Sequence, residues 1–195
     1  GRETFGDDAI VYQAEYLRKF ERMGVEGTLD LQDYIDRQHG KIGENVEFFL
    51  SGRAPYVVPE YNIADLTPRN PQWWFNRPCR PPFIREWHNH VDNYGNYMPG
   101  YCGGLSFGHI EDLDSLTSRG IDREKYPILS FLSEGNFSEL YELASDYGYR
   151  ETKAGYYSKC HLCLDLRRHL HDNGNFAELK PDEFYRQLPS GTSRY

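Results

Sequence analysis

Four cysteines, Cys79, Cys102, Cys160 and Cys163, lie in three separate stretches of this chain, and the last two form the run Cys160-His161-Leu162-Cys163. A two-residue gap suits two thiolates on one metal or a redox dithiol. Any fold that unites the four must bring three distant segments to one point. The opening residues, Gly-Arg-Glu-Thr-Phe-Gly-Asp-Asp, are polar and acidic and show no secretory leader, so a pair of structural disulfides is not expected. Cysteine also serves as a small buried hydrophobe, but a CxxC beside Lys159 and His161 is a poor core pattern. No βαβ pattern surrounds it, which argues against a thioredoxin-like dithiol. Zinc, which accepts four thiolates without demanding a particular chain spacing, and an iron–sulfur cluster both remain open.

The chain of 195 residues carries 22 Lys and Arg against 30 Asp and Glu, a net charge of −8. General nucleic-acid binding, which neutralises phosphates with basic side chains, is not expected. A local basic patch, if present, falls around Arg167 and Arg168. No apolar run approaches the roughly 18–20 residues that cross a bilayer, so the reading is a cytoplasmic protein with no membrane partner. The length suits one substantial domain, or a domain with an extension.

Residues 8–23 and 29–38 carry helical periodicity, and Val46–Leu50 reads as a strand. Residues 55–82 contain Pro55, Pro59, Pro68, Pro71, Pro78, Pro81 and Pro82, so long regular elements are excluded. Trp73, Trp74 and Phe75 lie inside that stretch, and a disordered linker rarely holds three adjacent rings. An ordered loop anchored by Trp73 and Trp74 is expected. Phe83–Val91 reads as a strand, 92–96 as a turn rich in Asn and Gly, and Tyr97–Tyr101 as the return strand, interrupted by Pro99 and Gly100. Cys102 follows at the hairpin's end, and Gly103-Gly104 lets the backbone approach a cofactor or another chain segment. Helices are expected over 110–119, 126–134, 137–147 and 158–171, the last opened by the CxxC and carrying Leu162, Leu166 and Leu170 as a stripe. The tail 189–195 reads as frayed.

Cys79 precedes the first strand and Cys102 follows the second, so both belong to the open end of the hairpin. Arg77, Arg80 and Lys159 neighbour the cysteines, and positive charge favours thiolates. The three cysteine-bearing segments show no obvious shared apolar face, which assigns their cohesion to a metal. His88 and His90 share one face of a strand; polar side chains on a half-exposed strand explain them, and metal ligation with Asp92 is the alternative. His161 reads as a neighbour of the centre or a solvent-facing residue, with ligation as the alternative. His169 and His171 suit a helix C-terminus. No nucleophile elbow, Walker motif or dinucleotide fingerprint occurs.

Residues 79–171 resemble the cysteine-bearing C-terminal region of radical SAM enzymes of the SPASM/twitch type. The resemblance rests on Cys79, on Gly95 within His90–Tyr97, on Cys102, on Leu105–Ile110, and on Ser158–Cys163. Leu50–Ala54 resembles the end of a late barrel strand in such enzymes. The sequence departs from the family pattern in the six residues between Gly95 and Cys102, and in having too few cysteines for two auxiliary clusters. The resemblance implies an α+β fold: the end of a partial α/β barrel over 1–54, a proline-rich ordered loop over 55–82, and a hairpin with helices over 83–188 around a four-cysteine centre. It implies a 4Fe–4S cluster on Cys79, Cys102, Cys160 and Cys163 that supports substrate binding or electron relay. The chain has no CxxxCxxC, the motif that binds the S-adenosylmethionine-cleaving cluster in that family. Radical chemistry is therefore expected only with a barrel in a missing N-terminal portion or another chain. A zinc-stabilised four-cysteine interaction module without enzymatic activity is the alternative.

Overall fold

The computed structural model describes residues 32, 35–36, 54–61, 63–64, 66–77, 90–100, 102–120 and 122–188. The chain divides into two units, Gly1–Gly40 and Lys41–Tyr195. In the first, residues 32, 35 and 36 are helical, Gln32 donates to Asp36 one turn on at 2.8 Å, and Ile35 is buried. The helix expected over 8–23 and the strand expected over 46–50 lie outside the described residues.

The second unit mixes helices with a small antiparallel sheet, an α+β arrangement. Its proline-rich stretch holds two short helices, α1 (Ala54–Val57) and α2 (Pro71–Phe75). Pro71 stands in the first turn of α2, where a missing N–H costs nothing, and Asn70 caps it by accepting from the Trp73 N–H. Trp74 anchors this loop, its indole N–H donating to the Tyr156 carbonyl at 3.2 Å. Trp73, expected as a second anchor, is 48% exposed, with the Arg69 and Arg77 guanidiniums over its ring at 5.1 and 4.6 Å.

Three strands follow, β1 (His90–Val91), β2 (Asn96–Met98) and β3 (Gly108–His109), in the order β1-β2-β3. The register pairs His90 with Met98 and Tyr97 with both Val91 and Gly108. Asp92 closes the turn: its carboxylate accepts from the Tyr94 and Asn96 backbone N–H groups and from the Asn96 side chain, each at 2.9 Å. Gly95 has φ +78°, and a Cβ there would stand 2.2 Å from the His109 Nε2. The hairpin glycine is thus fixed both by backbone conformation and by the third strand, which periodicity did not reveal because it is two residues long.

After a 3-10 turn at Ile110–Asp112 come α3 (Leu113–Arg119), α4 (Pro127–Glu134), α5 (Phe137–Asp146), α6 (Lys159–Asn173) and α7 (Asp182–Arg186). The expected helices agree with α3 to α6 within a few residues, and the periodicity missed α7, whose single turn and a half is too short to show one. The core is formed by Ile128, Leu129 and Leu132 of α4, Phe137, Leu140 and Ala144 of α5, and the stripe Leu162, Leu166 and Leu170 of α6. Leu105, Leu179 and Tyr185 close it. Among the described residues, no helix is long and apolar enough to cross a membrane.

Glu178 is fully buried, and its Oε1 accepts from the Ile128 N–H at 2.8 Å, capping the start of α4 from 50 residues away. Its backbone carbonyl also accepts from the Ser106 N–H. Burial pushes the Glu178 carboxyl above its ordinary pKa, against the backbone N–H donors that pull it down. A carboxyl raised on folding contributes stability that is complete below its unfolded pKa and is lost as pH rises through the folded value. Glu178→Gln keeps the acceptor oxygen and removes the charge. Its melting temperature should therefore gain on the wild type as pH is raised from about 4 to about 7; thermal unfolding monitored by circular dichroism at several pH values checks this.

Candidate metal centre

Helix α6 begins where the sequence leads one to expect. Ser158 is extended, its Oγ accepts from the His161 N–H at 2.9 Å, and the CxxC occupies the first turn and a half. The four-residue spacing of Lys159, Cys163 and Arg167 puts them on one stripe, beside the leucine stripe. All three are buried. From Lys159 to Arg167 the stripe runs about 12 Å at the helical rise.

Each end of this stripe holds a different loop. The Lys159 ammonium lies 4.4 Å from the centre of the Phe137 ring and donates to the Arg77 carbonyl, in the loop that leads to Cys79. The Arg167 Nη1 donates to the Gly103 carbonyl at 2.9 Å, in the loop that carries Cys102, and to the Tyr185 hydroxyl at 3.3 Å. The Tyr185 hydroxyl donates in turn to the Gly104 carbonyl. Cys163 lies between the two ends, 8% exposed and within the core; Cys102 packs against the same core, and Cys160 is exposed.

Arg167 lies beside Cys163 on α6 and holds the carbonyl of Gly103, the residue after Cys102. Burial alone would lower the guanidinium's pKa. The Tyr185 hydroxyl, the Cys163 sulfur, which hydrogen-bonds it, and the Cys102 sulfur outweigh burial and hold it above the ordinary arginine value. Arg167 is 5% exposed, its Nε has no hydrogen-bond partner among the described residues, and no carboxylate among them pairs with it. A buried cation without an acid calls for negative charge nearby. Here the compensation comes from the Tyr185 hydroxyl and the Cys163 and Cys102 sulfurs.

The structure does not gather all the expected ligands. Among the described residues, no three His, Cys, Asp or Glu side chains cluster as a metal site, and Cys79 and His88 lie outside those residues. His90 is half-buried on β1, but Asp92, its expected ligand partner, is taken up by the turn. His161 is buried rather than solvent-facing. Its Nδ1 accepts from the Tyr157 N–H, and Tyr56 and Tyr156 meet its ring edge-on at 5.1 and 5.3 Å. Burial first, then Arg168, lower its pKa to about 4 against the opposing pull of Asp165, so the ring is neutral near pH 7. His169 faces the Tyr147 carbonyl, and His171 stacks on Tyr185.

Two further expectations are corrected. Arg167 and Arg168 form no basic surface patch: the first is buried, and the second pairs with Asp165 at 2.8 Å. That Asp165 also accepts from Tyr149 at 2.7 Å and from Tyr156 at 3.4 Å, a buried polar network with no sequence signature. The Cys102 and Cys163 segments also belong to one apolar core, which includes Leu105, Cys163 and Tyr185, with Cys102 and Phe184 packed against it, while the Cys79 segment lies outside the described residues. Arg167 and Tyr185 were missed as site residues; the one available signal was the position of Arg167 one helical turn beyond Cys163.

Gly103-Gly104 approaches a chain segment, the start of α7. A Cβ on Gly104, at φ +80°, would stand 2.4 Å from the Phe184 ring and 2.9 Å from the Tyr185 hydroxyl. Gly120, at φ +72°, has nothing within 4 Å of the same position. Gly120→Ala should therefore cost about 1 kcal/mol of backbone strain. Gly104→Ala should cost that plus about 1–3 kcal/mol of overpacking. Denaturant unfolding of the two variants measures the difference, and Phe184→Ala in the Gly104→Ala background should recover part of it.

No family model, curated protein or solved structure matches this chain.

Proposed function

We propose that this chain is the C-terminal auxiliary iron–sulfur region of a radical SAM enzyme, with Cys79, Cys102, Cys160 and Cys163 as the ligands of one 4Fe–4S cluster. The observation that carries this reading is the α6 stripe. One helix holds Arg77 through Lys159 and the Cys102-bearing loop through Arg167, and carries Cys160 and Cys163 itself. The resemblance over residues 79–171 supplies the identity of the group.

When bound, such a cluster supplies one-electron transfer. The protein's own part is to hold the Cys102 loop against α6 and to bury Cys163 in the core. Lys159 fixes the approach of one loop, and Arg167 fixes the other while offsetting thiolate charge. Phe184 and Tyr185 cover the Gly103-Gly104 backbone and keep water from it. The S-adenosylmethionine site and its barrel belong to a partner portion of the same polypeptide or to another chain, in a cytoplasmic setting, and residues 1–54 are the barrel's last elements.

The test is anaerobic reconstitution of the 195-residue chain with iron and sulfide, followed by metal analysis and visible spectroscopy. A brown protein with about four iron atoms per chain supports the reading. A colourless protein that takes up one zinc and no iron overturns it in favour of a zinc-stabilised four-cysteine interaction module. Cys102→Ser should abolish iron binding and raise hydrogen exchange together in residues 102–107 and 157–165. The exchange of α5 should change less. The loaded wild-type chain alone should form no 5′-deoxyadenosine from S-adenosylmethionine, because it has no CxxxCxxC.

A further inference from the structure

We propose that Arg69, Trp73 and Arg77 form a docking surface for an acidic peptide segment of a partner protein. The inference is independent of the metal reading and rests on none of the cysteines. Trp73 is 48% exposed on α2, and the Arg69 and Arg77 guanidiniums lie over its ring at 5.1 and 4.6 Å. Arg77 also lies 5.8 Å from the Trp74 ring centre. Both arginines are exposed. Acids are in excess in this chain, 30 Asp and Glu to 22 Lys and Arg, and Arg123, Arg168 and Lys180 each take one. Among the described residues no carboxylate pairs with Arg69 or Arg77.

The three side chains stand on a fixed backbone. Arg69 and Tyr156 exchange two main-chain hydrogen bonds, at 2.9 and 2.8 Å, and Tyr156 is fully buried. Gly155 permits that approach: at φ +78°, a Cβ on it would stand 2.8 Å from the Arg69 carbonyl oxygen. Asn70 caps α2 at the Trp73 N–H, the Trp74 indole is tied to the Tyr156 carbonyl, and the Arg77 carbonyl accepts from buried Lys159. A partner therefore does not have to order this backbone on binding. Tryptophan and arginine are enriched among the side chains that carry binding energy at protein interfaces. A half-exposed indole gains by being covered. A guanidinium stacked on a ring keeps its N–H edge for bidentate contact with a carboxylate. One apolar plate with two cationic forks matches an apolar side chain flanked by acidic ones. A nucleic acid matches less well, because its affinity comes from many phosphates neutralised at once, and this patch supplies two guanidiniums on a chain of net charge −8.

The probe is a displayed library of random peptides of about 12 residues, enough for one extended recognition segment. It is selected in parallel against the full wild-type chain and the full Arg69→Gln/Arg77→Gln chain. The wild type should enrich Asp and Glu beside an apolar residue, and the double variant should lose that preference. The most enriched peptide, synthesised and followed by fluorescence anisotropy, should bind Trp73→Ala and the double variant about tenfold or more weakly. Its binding should weaken as salt is raised. Tyr94→Ala, which removes an equally exposed ring elsewhere, should bind it as the wild type does. Thermal melts check folding, and the double variant, altered only at exposed side chains, decides the matter if Trp73→Ala melts early. Selection without acidic preference overturns the proposal, and so does an acidic peptide that binds the wild type and the double variant equally. An oligothymidylate of about the same length that binds more tightly than the peptide, and only when both arginines are present, overturns it in favour of a nucleic-acid surface. The cluster reading stands or falls separately, by iron uptake.

Discussion

A guanidinium sealed from water, with no acid opposite it among the described residues, must be compensated by whatever surrounds it, and the surroundings of Arg167 organise this part of the chain. Its hydrogen bonds reach the loop after the hairpin and the hydroxyl of a tyrosine on the last helix. Its electrostatic partners include two sulfurs from segments 61 residues apart. Desolvation makes such an arrangement costly unless each neighbour is correctly placed. That dependence makes the Gly103-Gly104 backbone, Tyr185 and Phe184 parts of one unit. The loop after the hairpin, the α6 stripe and α7 meet there.

A second buried polar contact plays a comparable role at the other side of the core. Glu178 caps α4 through its side chain and receives Ser106 through its backbone. It ties the segment before α7 to both the start of α4 and the end of the Cys102 loop. The Asp165 network, with Tyr149, Tyr156 and Arg168, encloses the next turn of α6. Asp165 is tolerated because it accepts hydrogen bonds from well-placed donors, whereas burial pushes the Glu178 carboxyl toward its neutral form. The Asp165 contacts tie α6 to Tyr149 and Tyr156, with its leucine stripe in the core.

The sequence by itself determined the helices of the second half, because their signals are local: Pro127 in a first turn, Ser158 as a cap, leucines every four residues on α6, and glycines where the chain must take a positive φ. It also determined the hairpin turn, through Asp92 and Gly95, and marked the four cysteines as the chemistry to follow. Tertiary structure decided the rest. The two-residue strand β3 and the five-residue helix α7 exist because neighbours pair and pack with them, and no periodicity fits within so few residues. The exposure of Trp73 and the partial burial of Trp74 depend on which ring reaches the Tyr156 carbonyl. Above all, the fate of Arg167 was decided by long-range contacts. In sequence it is one of two adjacent basic residues of an acidic protein, and only the meeting of Gly103, Tyr185, Cys102 and Cys163 turns it inward. Local propensity depends on a few consecutive residues, whereas burial of a charge depends on partners whose distance along the chain has no bearing on their distance in space.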